Sequence, residues 1–283
     1  MRIGVIGSGT AATKLPVHLA ELGRDGVVPQ LVNPRLSAFA STPYERLVVD
    51  LGYVDAAQAA AADGCDALFI NSMADYGIEA MRAAVGIPVV GAGEAALRVA
   101  GREGRRFAIV TVWPSSMRFL YDERLRACGL EPACVSIRHL SGEDELARLG
   151  ADDGVMSRMR RGEGAIVARL AAMCADAVRE DGAECIALGC TCMAPVGPAI
   201  AAACFVPVIE SSRAGFLATI AAARDPVLRA PATGSRRSSR TALVPALVDA
   251  WFQASGREGA SKPDAAPPTD GGDCAVCVDA TAR

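Results

Sequence analysis

Asp63-Gly64-Cys65-Asp66-Ala67-Leu68-Phe69-Ile70-Asn71-Ser72 is echoed further along the chain by Asp181-Gly182-Ala183-Glu184-Cys185-Ile186-Ala187-Leu188-Gly189-Cys190. Downstream of the first copy comes Ile87-Pro88-Val89-Val90, and downstream of the second Val206-Pro207-Val208-Ile209. Each half reads as helix, Asp-Gly turn, buried strand, polar turn, short helix, Pro-Val strand and helix. An internal repeat of this kind predicts two similar α/β units. They would be related by a pseudo-twofold axis and face each other across a cleft. The repeat pairs Ser72 with Cys190 at the carboxyl ends of equivalent strands, the edge at which open α/β sheets bind ligands.

Outward from the repeat, short apolar runs alternate with Ala/Leu-rich stretches. The strand candidates are Arg2–Ile6, Pro29–Asn33, Asp66–Asn71, Pro88–Ala92, Phe107–Val112, Cys134–Arg138, Cys185–Leu188 and Pro207–Glu210. Continuous apolar runs of this length fit parallel strands covered on both faces. Between them, Ile166, Leu170, Met173 with Cys174, and Ala177 recur at helical spacing on one face. The fold class is therefore α/β with parallel sheets and right-handed crossovers. The expected organisation is a first unit from residues 1–95 plus 206–254, a second from 96–205, and a disordered tail over 255–283. The tail is rich in Gly, Pro, Ala and Asp. Its lone Cys274-Ala275-Val276-Cys277 pair reads as incidental.

Bulk composition narrows the function. The 283 residues carry a net charge of −3, which argues against a nucleic-acid binder. The basic clusters at Arg102–Arg106, Arg158–Arg161 and Arg236–Arg240 read as solvated loops or helix ends. No apolar run reaches the ~18 residues of a membrane span, and Met1–Gly7 reads as a buried strand, not a leader. The ten cysteines mostly lie in apolar stretches (Cys65, Cys128, Cys134, Cys174, Cys185, Cys204), where they behave as small hydrophobes. The expected compartment is the reducing cytoplasm. Metal-ligand spacing is absent, so no metal is expected.

The candidate chemistry centres on Leu188-Gly189-Cys190-Thr191. Gly189 permits a sharp turn and close approach to a ligand. Cys190 would start a short helical segment with Thr191 and Cys192, whose backbone N–H groups favour a thiolate. A thiolate there can act as a base or a nucleophile. His18 and His139 lie far from this turn in sequence. A second reading comes from Gly7-Ser8-Gly9-Thr10-Ala11-Ala12, the G-x-G-x-x-A opening of a dinucleotide fingerprint. The acidic residue expected at the end of the next strand is missing, since Pro29–Asn33 ends in Asn. A non-catalytic carboxylate-binding protein is the third reading.

Leu188-Gly189-Cys190-Thr191 resembles the second catalytic-cysteine motif of the cofactor-independent aspartate/glutamate/hydantoin racemase superfamily. The hydantoin racemase branch is further resembled by Met1–Ile6 with Thr10, Asp75-Tyr76-Gly77-Ile78, the run from Pro88 to Ala96, the run from Arg105 to Thr111, and Asp181–Glu184. The resemblance spans roughly residues 1–225. It implies two α/β domains with the active site between them, and no metal or pyridoxal phosphate. It also implies a small carboxylate or hydantoin-like substrate and association between copies. Two cysteines would flank the substrate α-carbon. Ser8-Gly9-Thr10, Asn71-Ser72-Met73, Thr111 and Thr191 would line the site, with Cys190 and Ser72 at the catalytic positions.

Three departures from that pattern stand out: Ser72 at the first cysteine position, Cys192 where some relatives have His, and Gly7 and Gly9 where hydantoin racemases often carry Asn. A serine hydroxyl is far too weak an acid to serve alone as acid or base near neutrality. That argues against two-base racemisation by Ser72 and Cys190 and keeps two one-base alternatives open. One resembles arylmalonate decarboxylase, to which the run Pro207–Phe216 is also similar. The other is cis–trans isomerisation of the maleate type.

Overall fold

Two four-stranded parallel sheets carry the fold. The computed structural model describes residues 1–7, 14–149, 151–226 and 238–255. In the first sheet, β1 (Arg2–Ile6), β2 (Val28–Val32), β3 (Ala67–Ile70) and β4 (Val89–Gly91) lie in the order β2-β1-β3-β4. In the second, β5 (Phe107–Thr111), β6 (Cys134–His139), β7 (Cys185–Leu188) and β8 (Val208–Ile209) lie in the order β6-β5-β7-β8. The two sheets share one topology, and their central pairs share one register. Ile3 sits opposite Ala67 and Ile6 opposite Ile70, as Phe107 sits opposite Cys185 and Val110 opposite Leu188. β3 and β7 are fully buried, which explains why each reads as an unbroken apolar run.

The described helices are α1 (Val17–Ala20), α2 (Pro43–Ala62), α3 (Ile78–Ala84), α4 (Ala92–Ala100), α5 (Phe119–Cys128), α6 (Val155–Arg160), α7 (Gly164–Asp181), α8 (Gly197–Ala202), α9 (Ser211–Arg224) and α10 (Leu243–Ser255). α2 starts on a capping box. The Thr42 hydroxyl accepts the Glu45 N–H and the Glu45 carboxylate accepts the Thr42 N–H, with Pro43 at the first helical position. α7 buries Ile166, Leu170, Cys174 and Ala177, the face predicted from their spacing. α2 and α7 both run into a glycine with positive φ, Gly64 at +86° and Gly182 at +69°, at the Asp-Gly turns of the repeat. α10 docks on α2 through Arg35, which binds the buried Asp55 at 2.6 Å and Asp249 of α10 at 2.6 Å.

The two units exchange helices. α4 follows β4 of the first sheet, yet Ala96, Leu97 and Ala100 pack with Phe107, Ile109, Cys185 and Ala187 of the second. α9 follows β8 of the second sheet, yet Phe216 packs with Ile3, Val5 and Phe69 of the first. Phe69 and Phe216 meet edge to face at 5.7 Å. α4 and α9 also touch each other. A Cβ at Gly215 would lie 2.4 Å from the Phe69 ring and 2.8 Å from Ala92 Cα, so only glycine allows this approach.

One expected boundary shifts. β8 hydrogen-bonds to β7, with Ile186 opposite Val208, so 208–209 belong to the second sheet and not to the first unit. The chain returns to the first sheet with α9, because parallel β8 must complete its sheet before the crossover. Residues 256–283, with Cys274 and Cys277, lie outside the described residues. Among the described residues no helix is long and apolar enough to cross a membrane.

Candidate active site

The central strands β3 and β7 end in matched turns. After β3 the chain runs Asn71-Ser72, and after β7 it runs Gly189-Cys190. Ser72 Oγ accepts the N–H of Ala74, two residues on, at 3.3 Å. Cys190 Sγ accepts the N–H of Cys192, also two residues on, at 3.2 Å. Cys190 has extended backbone (φ −146°, ψ 135°) and caps the 3-10 turn Thr191–Met193. Ser72 and Cys190 thus occupy equivalent places with equivalent local bonding, and both line one cavity.

That cavity is a cleft open to solvent between the two units, with about 590 Å³ of space when the solvent at its mouth is included. The first unit contributes Phe39, Val49, Asn71, Ser72, Met73 and Tyr76. The second contributes Trp113, Met117, Leu120, Tyr121, Cys190 and Thr191. Phe39 and Trp113 meet across the cleft with ring centroids 5.2 Å apart. No Asp, Glu, Lys, Arg or His lines the cavity among the described residues. A ligand there meets neutral donors and apolar walls.

Most of the expected site residues converge. Cys190, Ser72, Asn71, Met73 and Thr191 share the cavity. Thr191 Oγ1 donates to the Asn71 carbonyl at 3.1 Å, which ties the two strand-end turns together. Thr111 does not line the cavity. It is fully buried at the end of β5, with Oγ1 held 2.6 Å from the Tyr121 hydroxyl and accepting the Trp113 N–H. It meets the site indirectly, through the Trp113 N–H and through Tyr121, whose hydroxyl donates to the Gly189 carbonyl at 2.8 Å. Gly189 lines the cavity, and packing also requires glycine there. A Cβ there would sit 2.7 Å from Thr111 Cβ and 3.0 Å from Ile109 Cγ2. Ser8, Gly9 and Thr10 lie outside the described residues.

Several site residues were not legible in the sequence. Tyr76 hydrogen-bonds Ser72, and burial pushes its hydroxyl well above the usual tyrosine range. Burial does the same to Tyr121, which lies close enough to feel Tyr76. Both hydroxyls are protonated donors at neutral pH. Tyr76 lay within the quoted Asp75-Tyr76-Gly77-Ile78 run, but Tyr121 carried no pattern of its own. His18, distant in sequence, joins a relay. Its Nε2 lies 3.0 Å from Ser212 Oγ, which donates to Asn71 Oδ1 at 2.9 Å. Burial lowers the pKa of His18, so its ring is neutral near pH 7. Neither histidine forms the dyad with Cys190, since His139 Nδ1 pairs with the Trp113 carbonyl at 3.0 Å.

Cys190 was expected as a free thiol. Its sulfur is instead joined to that of Cys192, with the two Cα atoms 5.1 Å apart. The tight turn puts two side chains spaced i and i+2 on one side, at a separation usual for a disulfide. The remaining described cysteines (Cys65, Cys128, Cys134, Cys174, Cys185 and Cys204) are free thiols. Acid–base work by Cys190 requires the reduced pair. The Cys192 N–H points at the Cys190 sulfur, and Cys190, Ser72 and Tyr76 all line the same cavity.

The model for Asp/Glu/Hydantoin racemase matches residues 3–219. A hydantoin racemase from Pseudomonas sp. (strain NS671) is 29% identical over 220 residues, 76% of this chain and 83% of that protein. Among solved structures, allantoin racemase from Pseudomonas fluorescens superposes with a TM-score of 0.66 at 24% identity, covering 85% of this chain and 95% of that one. Arylmalonate decarboxylase shares the fold with a TM-score of 0.54 at 22% identity, covering 80% and 94%. A family match over most of the chain, with the repeated parallel sheets and the paired strand-end turns, leads to one conclusion: the chain belongs to the Asp/Glu/Hydantoin racemase family.

Proposed function

We propose that this protein is an isomerase acting at the acidic carbon of a hydantoin-like substrate, with Cys190 as the proton-transfer thiol. The observation that carries this reading is the shared cavity of Cys190 and Ser72 at matched strand ends. The Cys190 thiolate removes the proton from the carbon next to the ring carbonyl. Charge then develops on that carbonyl oxygen, where Ser72 and Tyr76 act as neutral hydrogen-bond donors in a water-poor site. Inversion is completed by a different proton, given to the opposite face of the carbon from the Ser72 hydroxyl, which is hydrogen-bonded to Tyr76 and regains a proton from solvent, while Cys190 releases its proton to solvent. The cavity's neutrality supports a cyclic ureide over free aspartate or glutamate. Among the described residues it offers no cation for a side-chain carboxylate and no anion for an α-ammonium group. The aromatic pair Phe39 and Trp113 suits an apolar substituent.

A second reading rests on Ser72. A hydroxyl in place of a second thiol is a poor base, and decarboxylation of a malonate-type acid needs a single proton donor. Proton NMR in D₂O with the reduced protein separates the two. We expect α-deuteration and inversion of 5-benzylhydantoin, and loss of both in Cys190→Ser. Carbon dioxide release from phenylmalonate with no exchange on hydantoins would establish the decarboxylase. Full activity in Cys190→Ser would sink both readings.

A further inference from the structure

We propose that Cys190 and Cys192 are a site of reversible oxidative modification, a dithiol–disulfide pair through which hydroperoxides silence the cavity and thiol reductants restore it. The proposal rests on the reading of Cys190 as the working thiol, but its chemistry is tested separately.

The pair is local. Both sulfurs belong to the turn Gly189-Cys190-Thr191-Cys192, so joining them requires no movement of one sheet against the other. Their roles differ. Cys190 lines the cavity, where a small oxidant can meet it, whereas Cys192 does not. The Cys192 N–H donates to Cys190 Sγ, which favours the thiolate that reacts with peroxide. Cys192 is the nearby thiol that can resolve the product. The other described cysteines are less suited. Cys65, Cys174 and Cys185 are buried, and burial raises the thiol pKa of all six, Cys134 to about 11.

The chemistry balances in two steps. The Cys190 thiolate attacks the peroxide O–O bond, giving a sulfenic acid and an alcohol, or water from hydrogen peroxide. The Cys192 thiol then attacks the sulfenic sulfur, the S–S bond forms and water leaves. Overall, two thiols lose two protons and two electrons, and the peroxide gains them. A dithiol reductant reverses the change by two exchanges and is itself oxidised to a disulfide. In the oxidised state Cys190 has no thiolate, so no proton can be taken at the substrate carbon. The bond also shields Cys190 from irreversible oxidation to sulfinic acid.

The test uses the full chain, reduced with dithiothreitol, desalted and exposed to hydrogen peroxide. Peptide mapping by mass spectrometry under non-reducing conditions should find the peptide spanning 190–192 lighter by two hydrogens before the other cysteines react. Exchange on 5-benzylhydantoin should fall by about tenfold and return largely on dithiothreitol treatment. Cys192→Ser, with folding checked by circular dichroism, should keep most of its activity when reduced. Under excess peroxide it should lose that activity irreversibly and carry a sulfinic acid at Cys190. A peptide 190–192 that stays unlinked while other cysteines oxidise would overturn the proposal. So would recovery of Cys192→Ser equal to that of the parent. If the reduced parent turns over none of the substrates, the isomerase reading fails and the peptide map alone decides the modification.

Discussion

Ser72 and Cys190 hold the same place in two copies of one strand-end turn, and each accepts the backbone N–H two residues ahead. Their acidities differ greatly. A thiol titrates near pH 8.5, and a serine hydroxyl does not titrate in the working range. In the reaction proposed above, the two faces of a planar enolate would therefore meet unequal acids. Proton return from the Ser72 side depends on a hydroxyl supported by Tyr76. If that step limits inversion, Ser72→Cys should raise the inversion rate by about tenfold or more, because catalysis improves as the acid's pKa approaches the working pH. The measurement is loss of optical rotation from a single hydantoin enantiomer, run beside deuterium uptake in the reduced variant. A folded variant with inversion unchanged relative to deuterium uptake would refute this role for the Ser72 face.

At the scale of elements, the Asp75-Tyr76-Gly77-Ile78 run is explained by helix α4. Asp75 sits at φ +47° with its carboxylate fully buried, accepting the N–H of Gly93 at 2.8 Å and of Glu94 at 2.6 Å. It caps α4 from a distant turn and so fixes the loop that carries Ser72 and Tyr76. Gly91 and Gly93 make room for it, since a Cβ at Gly91 would lie 2.1 Å from Asp75 Oδ1. Burial pushes the Asp75 carboxyl up to about 7, against the two N–H donors and Arg124. An unfolded aspartate titrates near 3.9. Between about pH 4 and 7 the folded chain keeps a proton that the unfolded chain has released, so this contribution to stability is complete below pH 4 and lost by about pH 7. Asp75→Asn removes the titration, at the cost of one of the two acceptors for Gly93 and Glu94 at every pH. The difference in Tm between parent and Asp75→Asn should therefore shift against the parent as pH rises from about 4 to 7, then level off. A difference that is flat across that window in thermal melts would contradict the assignment.

Over the whole molecule, the exchange of α4 and α9 binds the two sheets into one unit. Each helix leaves one sheet and covers the other, so parting the sheets would expose Leu97 and Phe107 on one side and Phe69 and Phe216 on the other. Burying a large apolar side chain contributes about 1.5–3 kcal/mol, so parting the sheets would cost several such contributions together. The protein should then unfold in a single transition. Urea curves followed by far-ultraviolet circular dichroism and by tryptophan fluorescence should coincide. The fluorophores are Trp113 in the second unit and Trp251 on α10 against the first. Two separated transitions would show that the exchanged helices do not couple the units. The same coupling bears on the site, because the cavity draws its walls from both units and the Thr191 to Asn71 bond crosses between them.

The sequence determined the eight strands, the α/β class, the duplicated topology and the pairing of Ser72 with Cys190. These follow from local pattern: fully buried parallel strands read as apolar runs, and duplication leaves its register in the text. The buried face of α7 was legible for the same reason, since Ile166, Leu170, Cys174 and Ala177 share a helical period. Tertiary structure decided the rest. It turned Thr111 away to Tyr121, gave Gly189 a packing role and drew His18 and Ser212 to Asn71. It also placed β8 in the second sheet and brought Cys192 within bonding distance of Cys190. Each depends on which way a side chain points at a strand end, or on contacts between residues far apart in the chain. Periodicity along a sequence records which face of an element is buried, and it does not record which distant group that face meets.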